Sequence, residues 1–237
     1  MSKPIKEQIL GWIPYVIGVI LVVQFAGLGV WQVSRGLEKG AEQQAFNSQA
    51  GFTTWSDGME VRSFQKLKAT GHFESARQVL LENIIINSRL GDYVLTPLRV
   101  SENAPLLLIN RGWIERGPSD LGLEYLALPS IRVTVRGRAG SLPRAGYRMG
   151  EAIPADGDWP KLAVYPTLDE VAAALGEPVQ PFVLLLDPED ELGFFRHWAP
   201  EEMGPGRHYA YALQWFAMGI VLAGLLGWNY RKRGLES

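Results

Sequence analysis

Two stretches of this chain carry no charge. The first, Trp12 to Val33 (WIPYVIGVILVVQFAGLGVWQV), runs for 22 residues; at ~1.5 Å per residue a helix of that length crosses a hydrocarbon core of about 30 Å. The second, Tyr211 to Tyr230 (YALQWFAMGIVLAGLLGWNY), runs for 20 residues and is stopped by Arg231-Lys232-Arg233. Both read as transmembrane helices. Pro14 falls in the first turn of the first apolar run, where a missing N–H costs little. Trp215, Trp228 and Tyr230 suit interfacial belts. No small-residue cleavage site follows the first run, which therefore reads as an uncleaved anchor.

Between these runs the pattern turns to alternation and short β-branched segments. Lys66 to Phe73, Gln78 to Asn87, Tyr93 to Val100, Leu106 to Ile114, Ile131 to Arg138 and Phe182 to Asp187 predict six strands. In IRVTVRGR, Ile131, Val133 and Val135 share one face while Arg132, Thr134 and Arg136 share the other, the mark of a half-buried antiparallel strand. Thr167 and Glu170 form a capping box ahead of VAAAL, and Gly176 closes that short helix. The Gly-, Pro- and acid-rich stretches around 140–160 and 187–206 read as loops. The fold class expected is a membrane protein with two transmembrane helices flanking a mostly β extracytoplasmic domain, a curled antiparallel sheet or barrel plus a short helix. Residues 1–11 and 231–237 form cytoplasmic ends, 12–33 and 208–230 the spans, and 34–207 the domain.

Charge sets the orientation. The Arg-Lys-Arg cluster directly after the second run is expected to stay cytoplasmic, while Lys3 and Lys6 balance Arg35 and Lys39 around the first. Two spans put both termini on that side, and the 18 basic and 23 acidic residues of 34–207 do not oppose export. The first eleven residues lack the Arg- and Ser-rich character of a transit peptide, so a bacterial inner membrane with a periplasmic domain is the expected location. The net charge of −2 and the scattered basic residues argue against nucleic acid. With no cysteine, disulfides, thiolate metal sites, covalent c-type haem and thiol-based copper carriage are excluded.

No hydrolase or phosphate-binding motif accompanies the three histidines, so no catalytic residue is expected. His72 reads as structural or exposed. Asp187-Pro-Glu-Asp-Glu191 lacks calcium-loop spacing and reads as a solvated acidic turn. His197 sits among Phe194, Phe195 and Trp198, aromatics suited to resting a loop on a membrane surface. His208 heads the second span. At 100° per residue, Trp215 and Gly219 fall within about 20° of it, and Ala212 and Ala223 within about 60°. Gly18, Ala26, Gly27 and Gly29 offer matching small positions on the first span. A metal ligand poised over a helix–helix gap and an interfacial anchor both fit His208.

The chain also carries, in order, LGVWQVSRGLEKG with Trp31, Gln32, Arg35 and Lys39; Gly71-His72-Phe73; GDYVLTPL; INRGW at Ile109 to Trp113; VTVRGR; and HYAYALQWF with His208, Tyr211, Ala212, Trp215 and Phe216. In these motifs and their spacing it resembles the Surfeit locus protein 1 family of cytochrome oxidase assembly factors over nearly its whole length. Arg207 and Gln214 stand where relatives often have Asn and Thr. The resemblance implies a non-enzymatic role in the biogenesis of haem–copper terminal oxidase, with haem a bound transiently and passed to the catalytic subunit. It implies His208 as ligand of the haem iron, with Tyr211 and Trp215 beside it, and oxidase subunits and the haem a synthesis machinery as partners. Arg207 is suited to pair with a haem propionate or to act as a headgroup-level charge. Asn110, Arg111 and Trp113, with Trp31, Gln32 and Arg35, are interaction candidates, although Trp113 equally suits a core and Gly112 a bulge. The alternative is a membrane scaffold that stabilises oxidase assembly intermediates without cofactor.

Overall fold

The computed structural model describes residues 5–48, 50–116, 126–143, 150–199 and 204–235. The chain forms two compact units, a helical one from residues 1–44 and 200–237 and a β domain from residues 45–199.

In the helical unit, α1 (Ile5–Asn47) and α3 (Pro205–Leu235) are both longer than their uncharged runs. α1 begins before Trp12, so Pro14 lies inside the helix rather than in its first turn. It also continues beyond Val33 because Ser34 to Asn47 holds no proline; there Arg35–Glu38 and Lys39–Glu42 pairs at i, i+3 line the helix. The apolar run therefore marks the lipid-spanning portion of a longer helix. Both helices are long and apolar enough to cross a membrane, and only 11% of each apolar window is buried. A core helix of a soluble protein would hide these side chains, whereas Val23 is 67% and Ile220 73% exposed.

The helices run antiparallel, since their contacts descend along α3 as they ascend along α1: Gly18 meets Leu226, Gly29 meets Phe216 and Gly36 meets Tyr209. Residues 18, 22, 25, 29, 32 and 36 of α1 and 208, 212, 215, 219, 222 and 226 of α3 are among the buried or half-buried positions of this pair, with residues 21, 28, 33 and 216 half-buried beside them. Steps of four and three alternate on both, the 3.5-residue period of two helices wound with small crossing angle. Gly18, Gly29 and Gly36 let the backbones close on bulky partners, while Gly27 and the exposed Ala26 and Ala223 stay outside the seam.

Among its described residues the β domain contains eight strands: β1 (Thr53–Thr54), β2 (Lys66–Phe73), β3 (Val79–Ile86), β4 (Arg89–Arg99), β5 (Leu106–Glu115), β6 (Val133–Gly140), β7 (Lys161–Ala163) and β8 (Val179–Leu186), with helix α2 (Leu168–Leu175) before β8. They follow the order β1-β2-β6-β8-β5-β4-β3-β7, and a β2–β4 pairing closes β2, β6, β8, β5 and β4 into a five-stranded barrel. All contacts around the ring are antiparallel except β5–β8. Closure removes the edges an open sheet would expose.

The interior is filled by Leu67, Ala69, Leu98, Leu107, Ile109, Val135, Ala139, Leu184 and Leu186, with Trp55 packed on them. α2 covers an outer face, where Val171 and Leu175 meet Val79, Leu95, Leu106, Leu108 and Val183. β5 therefore buries both faces, which is why its sequence is a continuous apolar run rather than an alternating one. β6 alternates as expected, although Ile131 lies outside the strand and is exposed. The capping box of α2 forms, and Gly176 closes it at φ 70°. An ion cluster ties Arg77 and Arg99 to Glu74 and Glu177, and Arg77 also donates to Leu175 O at the end of α2.

Candidate functional site

His208 lies one turn into α3 and is 9% exposed. Its Nδ1 stands 2.8 Å from Gln32 Oε1 of α1. An amide oxygen only accepts, so in the neutral ring the proton sits on Nδ1 and the lone pair on Nε2. Nε2 has no hydrogen-bond partner among the described residues. A carbonyl that holds one imidazole nitrogen while the other keeps a free lone pair is the usual support for a histidine metal ligand.

Aromatic residues fix the level of this pair along the helices. Trp12, Tyr15 and Tyr230 cluster at one end, with ring centroids 5.7 to 6.4 Å apart, and Trp228 is exposed nearby in sequence. Trp31, Tyr209 and Tyr211 are exposed at the other. From Trp12 to Trp31 a helix rises about 28 Å, close to a hydrocarbon thickness. His208 and Gln32 share the second level, where imidazole meets both lipid and water. One helical turn deeper Ala212 is buried, and about two turns deeper Trp215 packs on Phe25 at 5.6 Å. Arg207 is exposed, with no ion-pair partner among the described residues. Tyr211 is exposed, Trp31 projects outward, and Arg35 pairs with Glu38.

Asn110, Arg111 and Trp113 lie elsewhere, in the β domain, and all three are buried. The β4–β5 register shifts between Tyr93 and Leu95, so Arg111 and Gly112 form a bulge, with Gly112 at φ 112°. A Cβ there would meet Phe195 O at 2.6 Å, so the bulge needs glycine. Asn110 Oδ1 accepts from Gly112 N. Arg111 Nε donates to Leu192 O, and its Nη1 to Gln78 Oε1 and Leu126 O. Its guanidinium lies 4.7 Å from the Phe194 ring centroid. Burial, reinforced by the nearby Arg196 charge, brings the Arg111 pKa down to about 10. Trp113 Nε1 donates to Ile84 O, and its ring meets Phe195 edge-on. INRGW thus clasps the chain after β8 onto β5, an internal task.

A comparison with protein families matches residues 19–220 to the model of the SURF1 family. The chain belongs to the SURF1 family. Members of this family are cytochrome oxidase assembly factors rather than catalysts. A comparison with curated proteins gives no match.

In this SURF1 chain the aromatics around His197 face the β domain: Phe194 lies against Arg111, and Trp198 packs on Tyr93 and donates to Leu186 O. His72 is exposed on β2. Asp187 to Glu191 folds as a turn braced by Arg196, which donates to Pro188 O and Asp190 O. No group of three potential metal-binding side chains occurs among the described residues; a haem needs only one or two axial ligands. The partner the sequence reading missed for His208 is Gln32. The 3.5-residue spacing of Gly18, Gly29, Gln32 and Gly36 is the signal that would have put it on the seam.

Proposed function

We propose that this SURF1 protein binds haem a through His208 Nε2 and assists its insertion into the catalytic subunit of the oxidase. The observation that supports this most is the hydrogen bond between His208 Nδ1 and Gln32 Oε1, which leaves one imidazole nitrogen basic and aims a single ligand from the helix pair. The cargo fits this level of the membrane. Haem a has a long apolar tail that favours lipid and propionates that favour the aqueous edge. Arg207, exposed at the head of α3, is suited to pair with a propionate through its planar fork. Trp215, a turn or two below His208, offers an apolar wall within the bilayer. The β domain lies on the periplasmic side with both termini cytoplasmic, in keeping with Arg231-Lys232-Arg233 after the second span.

Passing cargo to the oxidase is tested in cells. In a strain whose only copy is His208→Ala, reduced-minus-oxidised spectra of the membranes should show less haem a in the oxidase than in the parent strain, at equal amounts of the SURF1 protein. An unchanged oxidase spectrum would favour a scaffold that works without cofactor.

A further inference from the structure

The β domain holds a second polar feature, remote in sequence from His208. An open cavity of about 470 Å³ is lined by Arg62, Lys66 and Arg138, with Glu60 the acidic residue facing them. The Nη1 atom of Arg138 is buried and has no hydrogen-bond partner among the described residues. The guanidinium instead lies 4.9 Å from the Phe46 ring centroid. A buried donor left unmatched is rare and calls for an explanation.

The neighbouring register makes the charge more unusual. On the antiparallel β2–β6 pair, Lys66 stands opposite Arg138 and Lys68 opposite Arg136. Like charges directly across a ladder oppose each other. Lys66 and Arg136 also share one ring, at 5.7 and 5.8 Å from the Phe52 centroid. Among the described residues none of Arg62, Lys66, Lys68, Arg136 and Arg138 makes a salt bridge.

We propose that this cavity is a binding site for a phosphate-class oxyanion, free or carried by a lipid headgroup, held by Arg138, Lys66 and Arg62. Three cationic side chains around one space match the several oxygens of a phosphate better than the two of a carboxylate. A bound anion would turn the opposed Lys66 and Arg138 from mutual repulsion to shared attraction, and Glu60 leaves the lining net positive.

The test uses the full-length protein in neutral detergent, free of haem, and reads its thermal unfolding midpoint. Inorganic phosphate is titrated against chloride at equal ionic strength, and short-chain phosphatidylglycerol against phosphatidylcholine of the same chain length. The parent and Arg89→Gln, which alters a surface ion pair with Glu115, should be stabilised by the anionic probe. Arg138→Gln and Lys66→Gln should lose that shift. Lys66→Gln should also match or exceed the parent's midpoint in chloride, because one opposed charge is gone, so it carries the test even where Arg138→Gln fails to fold. A shift with phosphate alone assigns a soluble anion, and one with phosphatidylglycerol alone a headgroup. Equal shifts in all four proteins, or none in the parent with either probe, would overturn the site.

Discussion

Arg111 carries a charge into the β domain with no carboxylate to meet it among the described residues; three neutral oxygens receive its N–H groups. Removing the side chain strands Leu192 O, while Leu126 O keeps its bond from Gln78 Nε2 and Gln78 Oε1 its bond from Thr96. Arg111→Leu should therefore lower stability by about 1–3 kcal/mol, read by thermal or denaturant unfolding of the detergent-solubilised protein. Arg111→Lys should recover little of it, because an ammonium lacks the planar fork. Gln32 holds His208 in one tautomer. Gln32→Leu should weaken haem retention by roughly 10- to 100-fold while the protein still inserts, measured by haem loss to a competing acceptor. Neither role was legible in the residues themselves. INRGW stood out as a motif, yet its oxygens come from loops far along the chain, and no local pattern announces a buried arginine.

At the scale of elements, the helix seam separates glycines that are needed from glycines that are not. A Cβ on Gly29 would lie 2.5 Å from the Phe216 ring, whereas Gly27 has open space. Gly29→Val should loosen the pair and reduce haem occupancy, and Gly27→Val should leave both unchanged; the unfolding midpoint and haem content of the two variants check this. In the β domain, α2 is tied to β4 by the ion cluster. Burial pushes the Glu74 carboxyl up, but hydrogen bonds from Arg99 and Arg77 outweigh it and leave its pKa below the ordinary value. Bonds from Arg77 and then Arg99 likewise lower Glu177. Their stabilisation is present above the unfolded carboxylate pKa of about 4.3 and is lost as pH falls through the lower folded values. Glu74→Gln should be less stable at pH 7 and show a flatter decline from about pH 5 to 3 in acid-unfolding curves. The capping box, the alternation of β6 and the bounds of β2 were all readable, because each rests on local spacing. Two-residue β1 and three-residue β7 carry too few positions for any period. Closure through His72–Arg99 and Phe73–Leu98 joins distant strands and left no mark in either segment.

At the scale of the whole molecule, two exposed apolar helices and a closed barrel make a membrane-anchored assembly factor. The orientation proposed above, with both termini cytoplasmic, is tested by reporters fused after residue 237, which should be active only in the cytoplasm. Replacing Arg231, Lys232 and Arg233 together by Gln should weaken that preference. The central claim is that His208, held by Gln32 on the helix pair, binds haem a. The most direct measurement is the visible spectrum of the protein purified in detergent from a host that makes haem a, beside His208→Ala prepared identically. The account predicts near-stoichiometric haem a in the parent and its loss from a variant that still folds and inserts. A colourless parent, or a variant that keeps its haem, would contradict it.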